Sequence, residues 1–143
     1  MRAALADLEE LLPLVRAYRV FYEREPEAAR ERALMERNLC EGRSIVFLAR
    51  AGDTACGFVQ LFETQSTVWL GPSLILEDLY VEPAARRRGV AARLIERSME
   101  YARAIGATGM FLETAAENLA AQAVYERAGW SREGRFYKYN APL

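Results

Sequence analysis

Histidine is absent from the 143 residues. That removes imidazole general bases, Ser-His-Asp and Cys-His nucleophile systems, and histidine-containing metal sites. Acid–base chemistry has to come from carboxylates, tyrosine, cysteine, lysine or water, and no metal site is expected. Cysteine is nearly as scarce. Cys40 and Cys56 make no CxxC pair and no metal-ligand spacing, so both read as reduced, structural thiols. No apolar stretch approaches the roughly 20 residues of a membrane span. Met1 to Leu5 lacks the apolar core of a secretion signal. The formal net charge of −1 supplies no global field toward nucleic acid or a membrane surface. A cytoplasmic protein without nucleic-acid or membrane partners is the expectation. Repeats and linkers are also missing, so residues 1–143 are expected to form a single domain. An apolar fraction of 52% is enough for a real core.

What is present reads as alternating elements. Asp7 followed by Glu10 has the form of a capping box, opening a helix through Leu8, Leu11, Leu12 and Val15. Pro13 falls awkwardly inside that pattern, and Glu23 to Pro26 breaks it. A second helix is expected over about Glu27 to Leu39, stopped at Gly42. Ser44 to Ala49 and Cys56 to Phe62 read as a hairpin around Gly52-Asp53. Thr64 to Ser73 is ambiguous, because Gly71-Pro72 interrupts it. Leu74 to Val81 is a strand closed by Pro83. A long helix with Ala91, Leu94, Ile95, Ala102 and Ile105 runs to Gly106. Met110 to Leu112 is another strand, Asn118 to Ala128 a helix with Leu119, Ala123 and Val124 inward, and Phe136 to Tyr139 a last strand. The order α-α-β-β-β-α-β-α-β implies an α/β fold with a mixed central β-sheet flanked by helices.

Three features go beyond scaffolding. Glu77 and Asp78 interrupt Leu74-Ile75-Leu76 and Leu79-Tyr80-Val81, a run apolar enough for a buried strand. Neighbours on a strand face opposite ways, so at least one carboxylate faces an interior or a cleft, as a structural ion partner or as a working group. Arg86-Arg87-Arg88-Gly89-Val90-Ala91 lies between strand and helix. Unpaired backbone N–H groups, the positive helix end and the arginines together suit an anion, although alone they could be a solvated basic turn. GxxxxGK[ST] and GxGxxG are both missing. Third, Asn118 and Tyr125 lie seven apart on one helix, hence on one face, ahead of Ala128-Gly129-Trp130.

Together these segments resemble the GNAT N-acetyltransferase superfamily. Arg86, Gly89 and Ala91 match its [Q/R]-x-x-G-x-[G/A] cofactor signature, with alanine in place of the commoner final glycine. Asn118, Ala121, Tyr125, Gly129 and Trp130 match its N-x-x-A-x-x-x-Y…G-[F/W] pattern. The likeness runs from about Asp7 to Tyr139 and is sharpest over 74–130; the family's first strand is reduced here to about Met1 to Ala4. Leu76-Glu77-Asp78-Leu79-Tyr80-Val81 is similar to the matching strand of spermidine/spermine (diamine) acetyltransferases.

The resemblance implies an acetyl-CoA-dependent N-acetyltransferase acting by direct attack of a small-molecule primary amine, such as a polyamine or an amino-acid-like substrate. Glu77 would bind the amine and serve as base, and Tyr125 as acid. Backbone N–H groups of Leu79, Tyr80 and Val81 would meet the thioester and pantetheine. Arg86, Arg87, Arg88, Gly89, Val90, Ala91 and Ala92 would hold the pyrophosphate, and Asn118 and Ala121 belong to the same cofactor pattern. Tyr22, Glu23 and Glu63, with Tyr18 and Glu25 nearby, are candidate acceptor liners, equally readable as solvated surface. Many family members are homodimers, and Phe136-Tyr137-Lys138-Tyr139 could supply an interface strand. A protein N-terminal or lysine acceptor and a non-catalytic CoA sensor remain alternatives. A nucleic-acid module built on Arg86 to Arg88 is disfavoured by the charge balance.

Overall fold

The spacing of Leu8, Leu11, Leu12 and Val15 does build a helix, α1 (Leu8–Phe21), which buries all four together with Leu14. The computed structural model describes every residue from 1 to 143. Asp7 and Glu10 do not form the expected box across the helix start. Asp7 closes a 3-10 turn ahead of α1, where its Oδ2 accepts the Ala4 N–H at 2.8 Å. Arg50 takes the Asp7 Oδ1 at 3.1 Å and the Glu10 carboxylate at 2.9 Å. A guanidinium makes charge-assisted bonds stronger than a backbone amide offers. Pro13 is interior to α1. Glu23 ends the segment with a left-handed φ of 57°, and α2 (Ala28–Cys40) follows.

The sheet holds β1 (Ile45–Ala51), β2 (Thr54–Ser66), β3 (Gly71–Val81) and β4 (Gly109–Phe111), in that spatial order. The first three pair antiparallel. β4 adds in parallel beside Ser73, Leu74 and Ile75. The ambiguous stretch from Thr64 to Ser73 belongs to the β2–β3 ladder, which runs out to Ser66 opposite Gly71. Met1 to Ala4 is the remnant of a strand: Arg2 bridges Phe47, and Ala3 N–H donates to the Val46 carbonyl at 2.8 Å.

Two apolar layers clamp this sheet. Val46, Leu48, Phe58 and Tyr80 pack with Leu8, Leu11 and Met35 of the first two helices. The other face meets α3 (Val90–Ala104), which buries Leu94, Ile95, Ser98 and Ala102 and sets Tyr101 against Phe47. Fully buried Leu61, Leu74 and Ile95 each contribute about 2 kcal/mol through burial.

The chain divides into two compact units, Met1–Glu113 and Thr114–Leu143. The second contains α4 (Leu119–Arg127). Asn118 caps it, its side chain accepting the Ala121 N–H at 3.2 Å. Gly129 follows at φ 92°, a conformation that L side chains resist. Ala123 and Val124 are half-buried, but Leu119, expected inward, is 70% exposed. The expected last strand, Phe136 to Tyr139, does not form. Aromatic residues favour strands through cross-strand partners, and no ladder reaches these residues. The observed order is therefore α-α-β-β-β-α-β-α, a mixed α/β sheet flanked by helices.

Candidate functional site

Glu77 is the extra residue of a β-bulge. Leu61 pairs with Leu76 and Gln60 with Asp78, so nothing on β2 opposes Glu77. Bulges redirect side chains and disturb simple alternation. Here Asp78 falls on the face of Gln60, with Tyr80 beside Phe58, toward the first two helices. Glu77 itself is exposed. The carboxylate that turns inward is thus Asp78. Gln60 Nε2 donates to Asp78 Oδ2 at 2.6 Å, and the Tyr18 hydroxyl also hydrogen-bonds this carboxylate. Burial pushes the Asp78 carboxyl above the usual 3.8; the Gln60 bond opposes this, and the nearby Glu77 charge reinforces it.

Gln60 is held from behind. Its Oε1 accepts from Ser44 Oγ at 2.7 Å and Asn38 Nδ2 at 3.1 Å. Asn38, Ser44 and Gln60 are all buried. Sequence reasoning passed over this cluster. Its signal was present, a glutamine inside Phe58-Val59-Gln60-Leu61-Phe62, since a polar residue in an apolar strand needs a partner.

Beyond the bulge β3 leads into the arginine turn. β4 pairs only with Ser73, Leu74 and Ile75, so from Leu76 to Val81 one edge of β3 has no partner strand. Leu79, Tyr80 and Val81, the expected pantetheine edge, lie on this open stretch. Arg86 donates its Nε–H to the Val81 carbonyl at 2.8 Å, and its guanidinium lies 5.7 Å from the Tyr80 ring centroid. Arg87 at φ 60° and Gly89 at φ 77° curl the turn. The first helical bond of α3 is Arg93 N–H to the Gly89 carbonyl. The N–H groups of Arg87 through Ala92 are left without an acceptor in the chain, and Gly89 as N-cap supplies no side chain. Six such donors with the exposed arginines and the positive helix end fit a diphosphate.

The acceptor-side residues divide. Tyr22 packs edge-on against Tyr18 at 5.1 Å, and Tyr18 reaches Tyr80 at 6.0 Å. Tyr22, through Tyr18, therefore joins the aromatic group beside Asp78. Glu23 and Glu25 are exposed in the break after α1. Glu63 is exposed opposite Leu74 and accepts from Gln65 at 2.8 Å. In the second unit, Asn118 and Ala121 meet in the α4 cap, while Tyr125 packs on Trp130 at 6.1 Å between ring centroids.

Residues 8–130 match the family model described as acetyltransferase (GNAT) family. The uncharacterized N-acetyltransferase YhfO of Bacillus subtilis (strain 168) is 31% identical over 138 residues, covering 96% of this chain and 93% of that one. A crystal structure of a probable acetyltransferase superposes with TM-score 0.94 at 34% identity, over 100% of this chain and 96% of the other. The aminoglycoside N-acetyltransferase AAC(6')-Iy, solved in complex with CoA, shares the fold at TM-score 0.84 and 24% identity, over 99% of this chain and 93% of that one. By its sheet, its family match and these relatives, the chain belongs to the acetyltransferase (GNAT) family and is an acyltransferase.

Proposed function

We propose that the protein transfers an acetyl group from acetyl-CoA to a primary amine of a small molecule by direct attack. The observation that carries this is the continuity of the bulged β3. Exposed Glu77 is followed by an open strand edge, which ends at the amide-rich turn of Arg87 to Ala92. An extended pantetheine arm can pair with such an edge, and its diphosphate suits the turn.

An alkylammonium near pKa 10 is neutral in about one molecule per thousand near pH 7, a handicap of roughly 4 kcal/mol. Glu77 removes that proton, directly or through water. The nitrogen lone pair then forms a bond to the thioester carbonyl carbon. The oxyanion that develops meets backbone N–H groups of Leu79 to Val81. The C–S bond breaks, and the thiolate takes a proton from Tyr125, which recovers one from solvent. The second nitrogen proton leaves to water, giving an N-acetyl amine and a thiol.

A polyamine or amino-acid-like acceptor is favoured by the carboxylates of Glu23, Glu25 and Glu63 and by the Tyr18–Tyr22 aromatic pair. The likeness of Leu76 to Val81 to diamine acetyltransferases points the same way. The family match at 8–130 runs across the boundary of the two compact units, which supports one transferase domain over 1–143. Exposed Phe136, Tyr137 and Tyr139 are the surface we assign to a homodimer. A monomer mass by light scattering at tens of micromolar would refute that assembly. Thiol release with acetyl-CoA across a panel of amines, amino acids and peptides tests the reaction. Binding of acetyl-CoA without turnover on any acceptor would leave a CoA sensor instead.

A further inference from the structure

The bulge at Glu77 has a side-chain fastening beneath it. Continuing the Leu61–Leu76 register without the bulge would set Gln60 against Glu77 and Val59 against Asp78. That straight ladder would gain a backbone pair, yet it would turn Asp78 toward the face of fully buried Val59. A carboxylate is costly on an apolar face without partners. In the bulged register Asp78 meets Gln60 Nε2 and the Tyr18 hydroxyl instead. The amide of Gln60 cannot swing away freely, because Ser44 and Asn38 both donate to its Oε1. Strand β1's preceding residue, helix α2, strand β2, strand β3 and helix α1 thus meet in one polar chain. Every buried side-chain polar atom in it has a partner, which is the condition under which such networks fix a single geometry.

We infer that Gln60 and Asp78 are positioning residues for acetyl transfer: their hydrogen bond, anchored by Ser44, Asn38 and Tyr18, holds the β3 bulge in register and thereby sets where Glu77 stands. Asp78 acts through shape and hydrogen bonding rather than as a proton acceptor. The inference rests on the reading of Glu77 as base. A shift of an ångström at a reacting group can cost on the order of 100-fold in rate, so loss of the fastening registers in kcat more than in cofactor binding.

The test compares Asp78→Asn, Asp78→Leu and Gln60→Leu in the full chain, with Glu77→Gln as reference. Asparagine keeps an acceptor for Gln60 and a polar group for Tyr18, so kcat stays within about 3-fold of wild type. Both leucine variants lower kcat by about 10- to 100-fold, with the KM for acetyl-CoA changed less than about 2-fold. Hydrogen exchange read by mass spectrometry speeds up over 76–80 in the leucine variants alone, a readout independent of activity. Loss of activity in Asp78→Asn equal to that in Asp78→Leu would overturn the inference and make Asp78 the base. Wild-type kcat and exchange in the leucine variants would overturn it too, as a network of no consequence for the site. A fully active Glu77→Gln would instead remove the base assignment, an outcome separable from either.

Discussion

Arg86 is committed to the chain itself: its Nε–H closes on the carbonyl of Val81 at 2.8 Å, and its guanidinium faces the rings of Tyr80 and Phe21 at 5.7 and 6.0 Å. Of the arginines in the turn, Arg86 has the double employment. It ties the end of β3 to the C-terminal end of α1 through that hydrogen bond and those ring contacts; Arg87 and Arg88, exposed like Arg86, make no such ties.

These arginines should therefore separate on substitution. Arg86→Ala should lower the stability of the free protein by about 1 kcal/mol through the lost charge-assisted bond, a fall of roughly 3 °C in Tm. Acetyl-CoA affinity should drop with it, because the turn loosens. Arg87→Ala and Arg88→Ala should leave the free protein's Tm unchanged. Each should weaken acetyl-CoA by about 3- to 10-fold and flatten the salt dependence of binding. Thermal shift and calorimetry with and without ligand distinguish the two behaviours. Equal effects in all three would remove the structural role of Arg86.

How far the sequence reached can be judged at particular residues. The helical spacing of Leu8 to Val15, the strand–arginine turn–helix succession and the cap at Asn118 were legible, because each rests on local chemistry. The bulge was not. Glu77 and Asp78 read as strictly alternating neighbours, and only the register against Gln60 shows that Asp78 turns inward while Glu77 stands clear. Register is set by the partner strand, which a local reading cannot see. The same reason explains Phe136 to Tyr139, whose residue types suit a strand while pairing decides whether one forms. Asp7 went astray through a remote competitor, Arg50, forty-three positions along the chain.

Glu77→Gln should keep acetyl-CoA affinity within about 2-fold and lower turnover by about 100-fold or more, the usual contribution of a general base. The deficit should shrink toward high pH, where the amine loses its proton unaided. Tyr125→Phe should lower turnover while leaving the KM for the amine intact. Steady-state profiles from neutral pH to the amine's own pKa supply the comparison. If Glu77→Gln lowers Tm and acetyl-CoA affinity together without recovery at high pH, Glu77 is structural.

Glu31 carries a separate prediction about folding. It is buried on α2, which alone would raise its carboxyl; the Glu27 N–H, Arg19 and Arg16 outweigh this and hold it below the usual 4.5. A lowered folded pKa means that its contribution is present above 4.5 and is lost as pH falls through the folded value. Glu31→Ala leaves Arg16 without its carboxylate, while Arg19 keeps Glu27 and the Glu25 carbonyl; it should cost about 2 kcal/mol, less than a fully buried pair because both guanidiniums reach water. The loss, read by urea denaturation, should be largest near neutral pH and should shrink in acid. An equal loss at all pH values would mean that packing, not charge, is what Glu31 supplies.

Asp78 should do the reverse. Burial raises its carboxyl above 3.8, so the folded protein holds this proton more tightly than the unfolded chain does. Below 3.8 both states are protonated and the difference vanishes. As pH rises from there through the raised folded value, the unfolded chain ionises first, and the folded state loses stability relative to it. Above that value the loss is constant. Asp78→Asn keeps the hydrogen-bonding shape and removes the titration. Its Tm relative to wild type should therefore climb as pH rises through this window and then level off, while the Glu31→Ala difference moves with the opposite slope. Glu77→Gln should narrow the window, because the neighbouring negative charge that helps raise the Asp78 carboxyl is gone. The two curves can be measured in the same buffers by differential scanning fluorimetry. A difference between Asp78→Asn and wild type that does not vary with pH would mean that the Asp78 carboxyl titrates alike in the folded and unfolded chain. The inward turn of Asp78 at the bulge would then have to be given up.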